Sequence, residues 1–297
     1  MNTKDTAKRE GTNEIFKDLS VFSDDYFPYG LIGRCKESKQ ITEFVSYKFT
    51  VLLGKNISGE KANLIRDEKI KNRIRIFGPN GCGKTTVLRH NLEREKKFFR
   101  VITIDPKKYQ TEKEILIEMF QQLGGDTGSL DEERGESWYV VNIVSAIEKM
   151  RGGAIFVFDE ISFGDFGKYE TLMDDFYFHL GERTDQLLSI FVYDRYVVRY
   201  VDPDNPVKPD NYLEVTFMPY QQEHLEMILS GRANEAFLPG VVDYETILIL
   251  TEYGLKQNGN ARKALELMAR AGYKAREENA GKVTMDHVMK ALAEIDS

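Results

Sequence analysis

Residues 78–85 carry the most specific chemical pattern in the chain, Gly-Pro-Asn-Gly-Cys-Gly-Lys-Thr. The pattern has the form G-x-x-x-x-G-K-S/T, in which the glycines let backbone N–H groups close around phosphate oxygens. The lysine of such a loop reaches the outer phosphates, and the hydroxyl that follows it ligates Mg²⁺. The sequence therefore predicts a nucleotide-binding loop in which Lys84 contacts the β- and γ-phosphates and Thr85 contacts the metal.

The predicted nucleotide contacts cover the whole loop and the start of the helix after it. They are Gly78, Pro79, Asn80, Gly81, Cys82, Gly83, Lys84, Thr85 and Thr86. Ile74 and Ile76 alternate just before the loop as in a buried strand, and an apolar helical pattern follows it. This strand–loop–helix context makes the motif specific, because the helix N-terminus adds its positive dipole to the site. The alternative is a glycine-rich turn that binds no ligand, which would not explain the strand before the loop and the helix after it.

Two carboxylates follow the clearest candidate for a central strand. Residues 154–158 form a continuous apolar run, which is typical of a parallel strand covered on both faces, and Asp159 and Glu160 come next. Open α/β sheets bind their ligands at the carboxyl ends of the strands. We therefore expect Asp159 to hold the hydrated Mg²⁺ ion and Glu160 to polarise a water for attack on the γ-phosphate. The alternative is a strand that ends in two solvated acids.

Two more residues are weaker candidates for γ-phosphate contacts. Asp194 follows an apolar run at 187–193, so it lies at the end of another predicted strand. Arg262 lies in the first turn of a predicted helix, where the helix dipole disfavours a cation. A bidentate contact with phosphate would explain an arginine there, and a solvated surface arginine is the alternative.

An aromatic, proline-containing stretch precedes the first predicted helix and includes Tyr26, Pro28 and Ile32. A flat apolar base binds between apolar and aromatic walls, so this stretch could fold over an adenine ring. The pattern supports equally well an N-terminal segment that packs on the protein core.

The elements that must position these residues predict an α/β fold followed by helices only. Apolar runs at 73–77, 100–104, 154–158, 187–193 and 213–217 predict five strands. Since helical patterns separate most of them, we expect a three-layer α/β/α domain with a five-stranded parallel sheet. After Met218 the apolar residues recur at helical spacing in four stretches, which predicts a small all-α domain.

The expected domain organisation has three parts. Residues 1–20 are polar and lack periodicity, so we expect a flexible tail. Residues 21–218 form the predicted nucleotide-binding domain, and residues 219–297 form the predicted helical domain.

Composition excludes several classes of protein. The 297 residues contain no apolar run of the roughly 18 residues that a membrane span needs, and the N-terminus is no signal peptide. Of the two cysteines, Cys82 lies in the loop, so we expect no structural disulfide and a reducing cytoplasm. The net charge of −7 argues against non-specific coating of nucleic acid. A local excess of bases between residues 254 and 276 leaves a DNA-facing surface open.

These features together resemble an AAA+ ATPase, and within that class an archaeal origin-recognition and cell-division-control (Orc/Cdc) replication initiator. The resemblance covers about residues 20–296 and is carried by DYFPYGLIGRCKES (25–38), KKYQTEKEILIEMFQQLG (107–124), FMPYQQEHLEMIL (217–229), RANEAFLPGVV (232–242), GNARKALELMARAGYKA (259–275) and KVTMDHVMKAL (282–292). The last four resemble the family's helical lid and are more discriminating than the phosphate loop.

The resemblance implies ATP or ADP with Mg²⁺ as cofactors and slow hydrolysis of ATP to ADP and phosphate. It also implies DNA as a partner, a replicative helicase or other AAA+ subunits as further partners, and a nucleotide-dependent oligomer. The family's sensor-2 arginine corresponds to Arg262, its sensor-1 residue to Asp194 in place of the usual asparagine, and its arginine finger to Arg195 or Arg199.

Family initiators usually carry a winged-helix DNA-binding domain after the lid, and residue 297 is where that domain would begin. The leading hypothesis, which rests on the resemblance as a whole, is an ATP-dependent initiator or helicase loader. The alternative is a nucleotide-gated assembly or adaptor protein with little hydrolysis, in transposition or plasmid maintenance. A phosphate-loop small-molecule kinase fits poorly, because the C-terminal helices do not resemble an acceptor-binding lid.

Overall fold

The computed structural model describes residues 14–23, 25–52, 72–126, 134–150, 152–161, 180, 183–194 and 212–295, without the side chains of residues 49–52. The chain divides into two compact units. The sheet unit comprises residues 34–218, and the helical unit comprises residues 1–33 together with residues 219–297.

The sheet unit contains five parallel strands among its described residues. They are β1 (Arg73–Phe77), β2 (Arg100–Ile104), β3 (Ala154–Ile161), β4 (Leu187–Tyr193) and β5 (Leu213–Thr216). Their order in the sheet is β2-β3-β4-β1-β5, and every neighbouring pair is parallel. The described helices of this unit are α1 (Cys35–Leu52), α2 (Lys84–Glu95), α3 (Glu112–Gln122) and α4 (Glu136–Glu148). The predicted α/β fold with a five-stranded parallel sheet is confirmed.

The core of the sheet unit explains the continuous apolar run of β3. This strand pairs with β2 on one side and β4 on the other, and its residues 154–158 are at most 3% exposed. On one face, Phe156 and Phe158 pack among the buried residues of α3 and α4, and Phe158 stacks on Phe191 of β4 with 5.1 Å between ring centroids. A strand buried on both faces needs apolar side chains at every position, which is why its alternation disappears.

The helical unit is built on four helices of the C-terminal segment. They are α5 (Gln222–Ala236), α6 (Tyr244–Lys256), α7 (Ala261–Glu277) and α8 (Met285–Ile295). Their shared core includes Leu229, Leu250, Leu267, Met268 and Val288, each at most 1% exposed. The predicted all-α region after Met218 therefore has the expected helices, and the unit boundary falls between Met218 and Pro219.

Residues 14–20, the described part of the expected tail of residues 1–20, pack against the helical unit. Ile15 is 1% exposed and Phe16 is 6% exposed within the core of the helical unit. The Lys17 N–H donates to the Ala236 carbonyl at 2.8 Å, and Phe16 stacks on Phe237 with 4.8 Å between centroids. Two apolar residues in a polar stretch are too few to show a period, so sequence patterning missed this packing. The segment belongs with the helical unit up to residue 33, and not with a domain that starts at residue 21.

No helix within the described ranges is long and apolar enough to cross a lipid bilayer.

Candidate nucleotide-binding site

The phosphate loop connects β1 to α2 and depends on glycine at its first position. Gly78 has φ of 152°, and a Cβ placed there would lie 2.5 Å from the Phe217 carbonyl oxygen. Gly83 has φ of 90° and is the N-cap residue of α2, a left-handed conformation that glycine adopts at low cost. Because the loop ends on a helix N-terminus, its free backbone N–H groups are available to an anion.

Lys84, which begins α2, is 8% exposed, and its ammonium group is held by the loop itself. Its Nζ donates to the Gly78 carbonyl at 2.7 Å and to the Pro79 carbonyl at 2.8 Å. A buried ammonium needs such partners, and an anionic phosphate oxygen is a stronger acceptor than either carbonyl. The Lys84 ammonium group can therefore exchange these carbonyls for a phosphate oxygen without a change of fold.

Thr85 and Asp159 are brought together from α2 and β3. The Thr85 hydroxyl donates to Asp159 Oδ2 at 2.9 Å, and the Glu160 N–H donates to Asp159 Oδ1 at 2.9 Å. Burial raises the pKa of the Asp159 carboxyl above its ordinary value, and the Thr85 hydrogen bond opposes that shift. A hydroxyl and a carboxylate are hard oxygen ligands, and a divalent cation would compensate the buried charge. These residues therefore fit the Mg²⁺ ion that the loop motif implies.

Glu160 lies in an irregularity of β3 that the sequence did not reveal. The predicted strand ends at residue 158, but β3 continues to Ile161, with a register shift between Phe158 and Ile161. Glu160 has φ of 62°, which is uncommon for a residue with a long side chain and signals local strain. The irregularity exposes the Glu160 side chain, whose Oε2 lies 3.5 Å from Lys107 Nζ.

Asp194 lies at the same edge of the sheet. Its N–H donates to the Ile161 carbonyl at 3.1 Å, which joins the ends of β3 and β4. The structure therefore brings Lys84, Thr85, Asp159, Glu160 and Asp194 together around the carboxyl ends of three strands, as open α/β sheets place their ligands. Arg195 and Arg199, the two candidates for an arginine finger, lie outside the described residues.

The other predicted site residues lie in the helical unit. Tyr26 donates its hydroxyl to the Glu235 carboxylate, and the Arg232 guanidinium carbon lies 3.7 Å from the centroid of its ring. The ring and hydroxyl of Tyr26 thus contact α5, as the packing alternative predicts, while Pro28 and Ile32 are half-buried. Arg262 is exposed in the first turn of α7. A base contact by the first three residues and a γ-phosphate contact by Arg262 stay predictions.

Arg34 contacts the loop. The resemblance includes it in an Arg-x-x-Glu box within residues 25–38 but assigns it no role. Arg34 is 4% exposed, and its Nε donates to the Cys82 carbonyl at 3.0 Å. The pattern of an arginine close to a helix start, with Glu37 three residues later, marks the position but does not reveal the contact with Cys82, which lies 48 residues away. Lys107 was missed as well, although it follows the end of β2 at the edge where Asp159 lies.

Comparison with known proteins identifies the two domains. A family profile described as an AAA domain matches residues 70–191, and one described as a Cdc6 AAA+ ATPase-type lid domain matches residues 226–293. The chain thus has an AAA domain followed by a Cdc6-type AAA+ lid domain. The family resemblance read from the sequence is confirmed.

Individual relatives have low sequence identity to this chain but align with nearly all of it. ORC1-type DNA replication protein 1 of Sulfurisphaera tokodaii is 28% identical over 294 residues, which cover 96% of this chain and 68% of that protein. The ORC1-type DNA replication protein of Pyrococcus furiosus is 27% identical over 303 residues, covering 95% of this chain and 66% of that protein. The chain thus spans about two thirds of the length of these relatives.

Solved structures show the same fold. The Aeropyrum pernix ORC1 protein, solved in complex with DNA, has a TM-score of 0.73 at 24% identity, with 96% of this chain and 71% of that chain covered. The Aeropyrum pernix ORC2 protein, solved as ADPNP–ADP complexes, has a TM-score of 0.70 at 17% identity, with 94% of this chain and 72% of that chain covered.

Proposed function

We propose that this Orc1/Cdc6-type AAA+ protein binds ATP with Mg²⁺, hydrolyses it slowly, and uses the bound nucleotide to control DNA binding or helicase loading in replication initiation. The observation that carries the proposal is the 2.9 Å hydrogen bond from the Thr85 hydroxyl to Asp159 Oδ2. It joins the metal-binding hydroxyl of the loop to the carboxylate at the end of β3. Nucleotide-complexed relatives of the same fold support ADP and ATP as the ligands.

Each site residue has a defined part in this proposal. Backbone N–H groups of the loop and the Lys84 ammonium bind the phosphates, and Thr85 and Asp159 hold the Mg²⁺ ion. When bound, that ion neutralises charge on the outer phosphates. Glu160 accepts a proton from the attacking water, while Asp194 orients that water or contacts the γ-phosphate. Arg262 is the proposed source of a guanidinium contact with the γ-phosphate.

DNA is the proposed macromolecular partner, because a relative of the same fold was solved in complex with DNA. The local excess of bases in α6 and α7 supports this less than the sequence suggested. Lys256 pairs with Glu252, Arg270 with Glu266, and Lys274 with Glu294, at N–O distances of 2.6 to 2.8 Å. Acids from neighbouring turns and from α8 therefore offset much of that charge.

One observation favours the alternative of a nucleotide-gated adaptor with little turnover. The Glu160 carboxylate pairs with Lys107, and a paired carboxylate is less available to a water molecule. In that case the nucleotide would act as a switch for assembly with other AAA+ subunits or for a cytoplasmic DNA transaction other than replication.

The experiment is calorimetry of Mg²⁺-ATP binding, followed by turnover measurements with and without DNA. We expect the parental chain to bind, Lys84→Ala to lose binding, and Glu160→Gln to bind normally while turnover falls by at least about 100-fold. Turnover stimulated by DNA would support the initiator, and ATP-dependent assembly without turnover would support the adaptor. A parental chain that takes up no ATP would contradict both.

A further inference from the structure

Arg34 connects three parts of the sheet unit through one buried guanidinium. Its Nε donates to the Cys82 carbonyl at 3.0 Å, and its Nη2 donates to the Met218 carbonyl at 2.6 Å. Arg34 is the first residue of the sheet unit and Met218 is its last. A single side chain therefore joins the phosphate loop to both ends of the unit.

The bond to Cys82 sets the orientation of a loop N–H group. In a trans peptide the carbonyl and the N–H of the unit are coplanar and point in opposite directions. Holding the Cys82 carbonyl therefore also fixes the direction of the Gly83 N–H in the same peptide unit. Glycine has an unusually wide choice of backbone conformations, so a hydrogen bond to the neighbouring carbonyl restrains a peptide that would otherwise be free to reorient.

The chain after β5 supports the loop at a second point. The Phe217 N–H donates to the Phe77 carbonyl at 2.8 Å, which extends the pairing of β5 with β1. The Phe217 carbonyl lies so close to Gly78 that a Cβ there would be 2.5 Å away, and the Arg34 guanidinium carbon lies 5.5 Å from the Phe217 ring centroid. The segment that Arg34 holds at Met218 thus also contacts the first residue of the loop.

We propose that Arg34 is a positioning residue that presets the phosphate loop for nucleotide, acting through the Cys82–Gly83 peptide. This inference rests on the proposed nucleotide binding and adds to it a residue outside the motif. Without the guanidinium, the peptide samples other orientations, and ordering it when the nucleotide arrives costs affinity. Because Arg34 also holds Met218, the state of the loop is coupled to the residue at which the chain leaves the sheet unit.

The geometry requires an arginine, and this makes the proposal testable by conservative variants. A guanidinium donates from separate nitrogens in a fixed plane, whereas an ammonium is a single point on a flexible stem. Arg34→Lys therefore keeps the charge but loses simultaneous contact with both carbonyls, and Arg34→Gln loses the charge as well. Glu37→Gln is the matched control, since it removes only the 3.1 Å ion pair between Arg34 Nη1 and Glu37 Oε1.

The experiment combines calorimetry of ADP and Mg²⁺-ATP binding with hydrogen–deuterium exchange of the full chain without nucleotide. We expect Arg34→Lys to weaken both ligands by roughly tenfold, which corresponds to about 1.4 kcal/mol. Exchange at the Val87 amide, which donates to the Gly83 carbonyl at 3.0 Å where the loop joins α2, should accelerate in this variant while β3 amides keep their parental protection. Arg34→Gln should show the same pattern more strongly. Glu37→Gln should stay within about threefold of the parental affinity, because it leaves both carbonyl contacts of Arg34 in place and its amide oxygen can still accept from Nη1.

Several outcomes would overturn the role of Arg34. Parental affinity and parental loop exchange in Arg34→Lys would do so, and so would an equal loss in Glu37→Gln, which would assign the effect to the ion pair. Faster exchange in β3 as well as in the loop would show a general structural role instead. If the parental chain bound no nucleotide, the proposed function would fail, and exchange in the nucleotide-free variants would still decide whether Arg34 orders the loop.

Discussion

The hydroxyl of Thr85 and the carboxylate of Asp159 are 2.9 Å apart, although 73 residues (86–158) separate them in the chain. If this pair holds Mg²⁺, the hydroxyl is needed for the metal and not for the phosphates. We therefore expect Thr85→Val to remove the gain in ATP affinity that Mg²⁺ provides, whereas Thr85→Ser should keep it. Calorimetry with ATP in the presence of Mg²⁺ and of a chelator measures that gain. A Thr85→Val protein with the parental response to Mg²⁺ would refute the assignment.

The pH dependence of stability should report the buried carboxyl of Asp159. Burial raises its pKa in the folded state, so the folded state binds this proton more tightly than the unfolded state does. The stability that the Asp159 carboxyl contributes is therefore fully present at pH values below its pKa in the unfolded state. It is lost as the pH rises through its pKa in the folded state. Asp159→Asn should raise the melting temperature of the nucleotide-free protein at pH 8, and the gain should shrink as the pH falls towards 4. A gain that is constant over this range would argue against the mechanism.

The ion pair of Lys107 with Glu160 predicts a variant with faster turnover. If the pair holds the carboxylate away from the position of the attacking water, Lys107→Gln should release it and raise ATP hydrolysis. An exposed pair contributes up to about 1 kcal/mol, so we expect a rise of at most about fivefold. Lys108→Gln is the matched control, because it removes the same charge from the next residue, which pairs with Asp105 at 4.0 Å. Unchanged or slower turnover in Lys107→Gln would mean that the lysine does not restrain Glu160.

The helical unit offers a test that is independent of nucleotide. Asp243 caps α6, where its Oδ1 accepts the Thr246 N–H at 2.9 Å, and this hydrogen bond lowers the pKa of the Asp243 carboxyl. Loss of such a cap costs about 1 kcal/mol, so Asp243→Ala should shift urea denaturation of the helical unit accordingly. A lowered pKa adds stability above the unfolded pKa that is lost as the pH falls, so the difference from the parental protein should vanish in acid. Asp286→Ala, which removes an exposed acid of α8, should have a smaller effect.

The fold was predictable because its signals are local. The apolar run of β3 and the helical spacing after Met218 each identify an element without knowledge of its neighbours. The loop of residues 78–85 was predictable for the same reason, since all of its chemistry lies in consecutive residues. Strand order, which joins β1 to both β4 and β5, depends on long-range pairing that no local pattern contains.

The features that the sequence did not reveal all depend on contacts between distant residues. Arg34 lies 48 residues from Cys82 and 184 from Met218, and nothing in its own neighbourhood identifies those carbonyls. The strained backbone of Glu160 arises because β3 continues past a register shift to pair Ile161 with Tyr193. The strand predicted from the sequence ended at residue 158, three residues earlier. Phe16 was assigned to a tail because its partner Phe237 is in another part of the chain.

The packing of Phe16 against Phe237 has a consequence for the order in which the two units fold. The sheet unit is an insertion of 185 residues (34 to 218) within the helical unit. The first segment of the helical unit, which contains Phe16, can pack only after the residues that follow 218 have been made. Closing so long a loop is entropically costly unless the insertion has already brought its ends together. The Arg34–Met218 hydrogen bond, at 2.6 Å, holds those ends together. During synthesis at the ribosome, the inserted unit should therefore be completed first, and a fragment that starts at residue 219 should expose the surface that Phe16 covers.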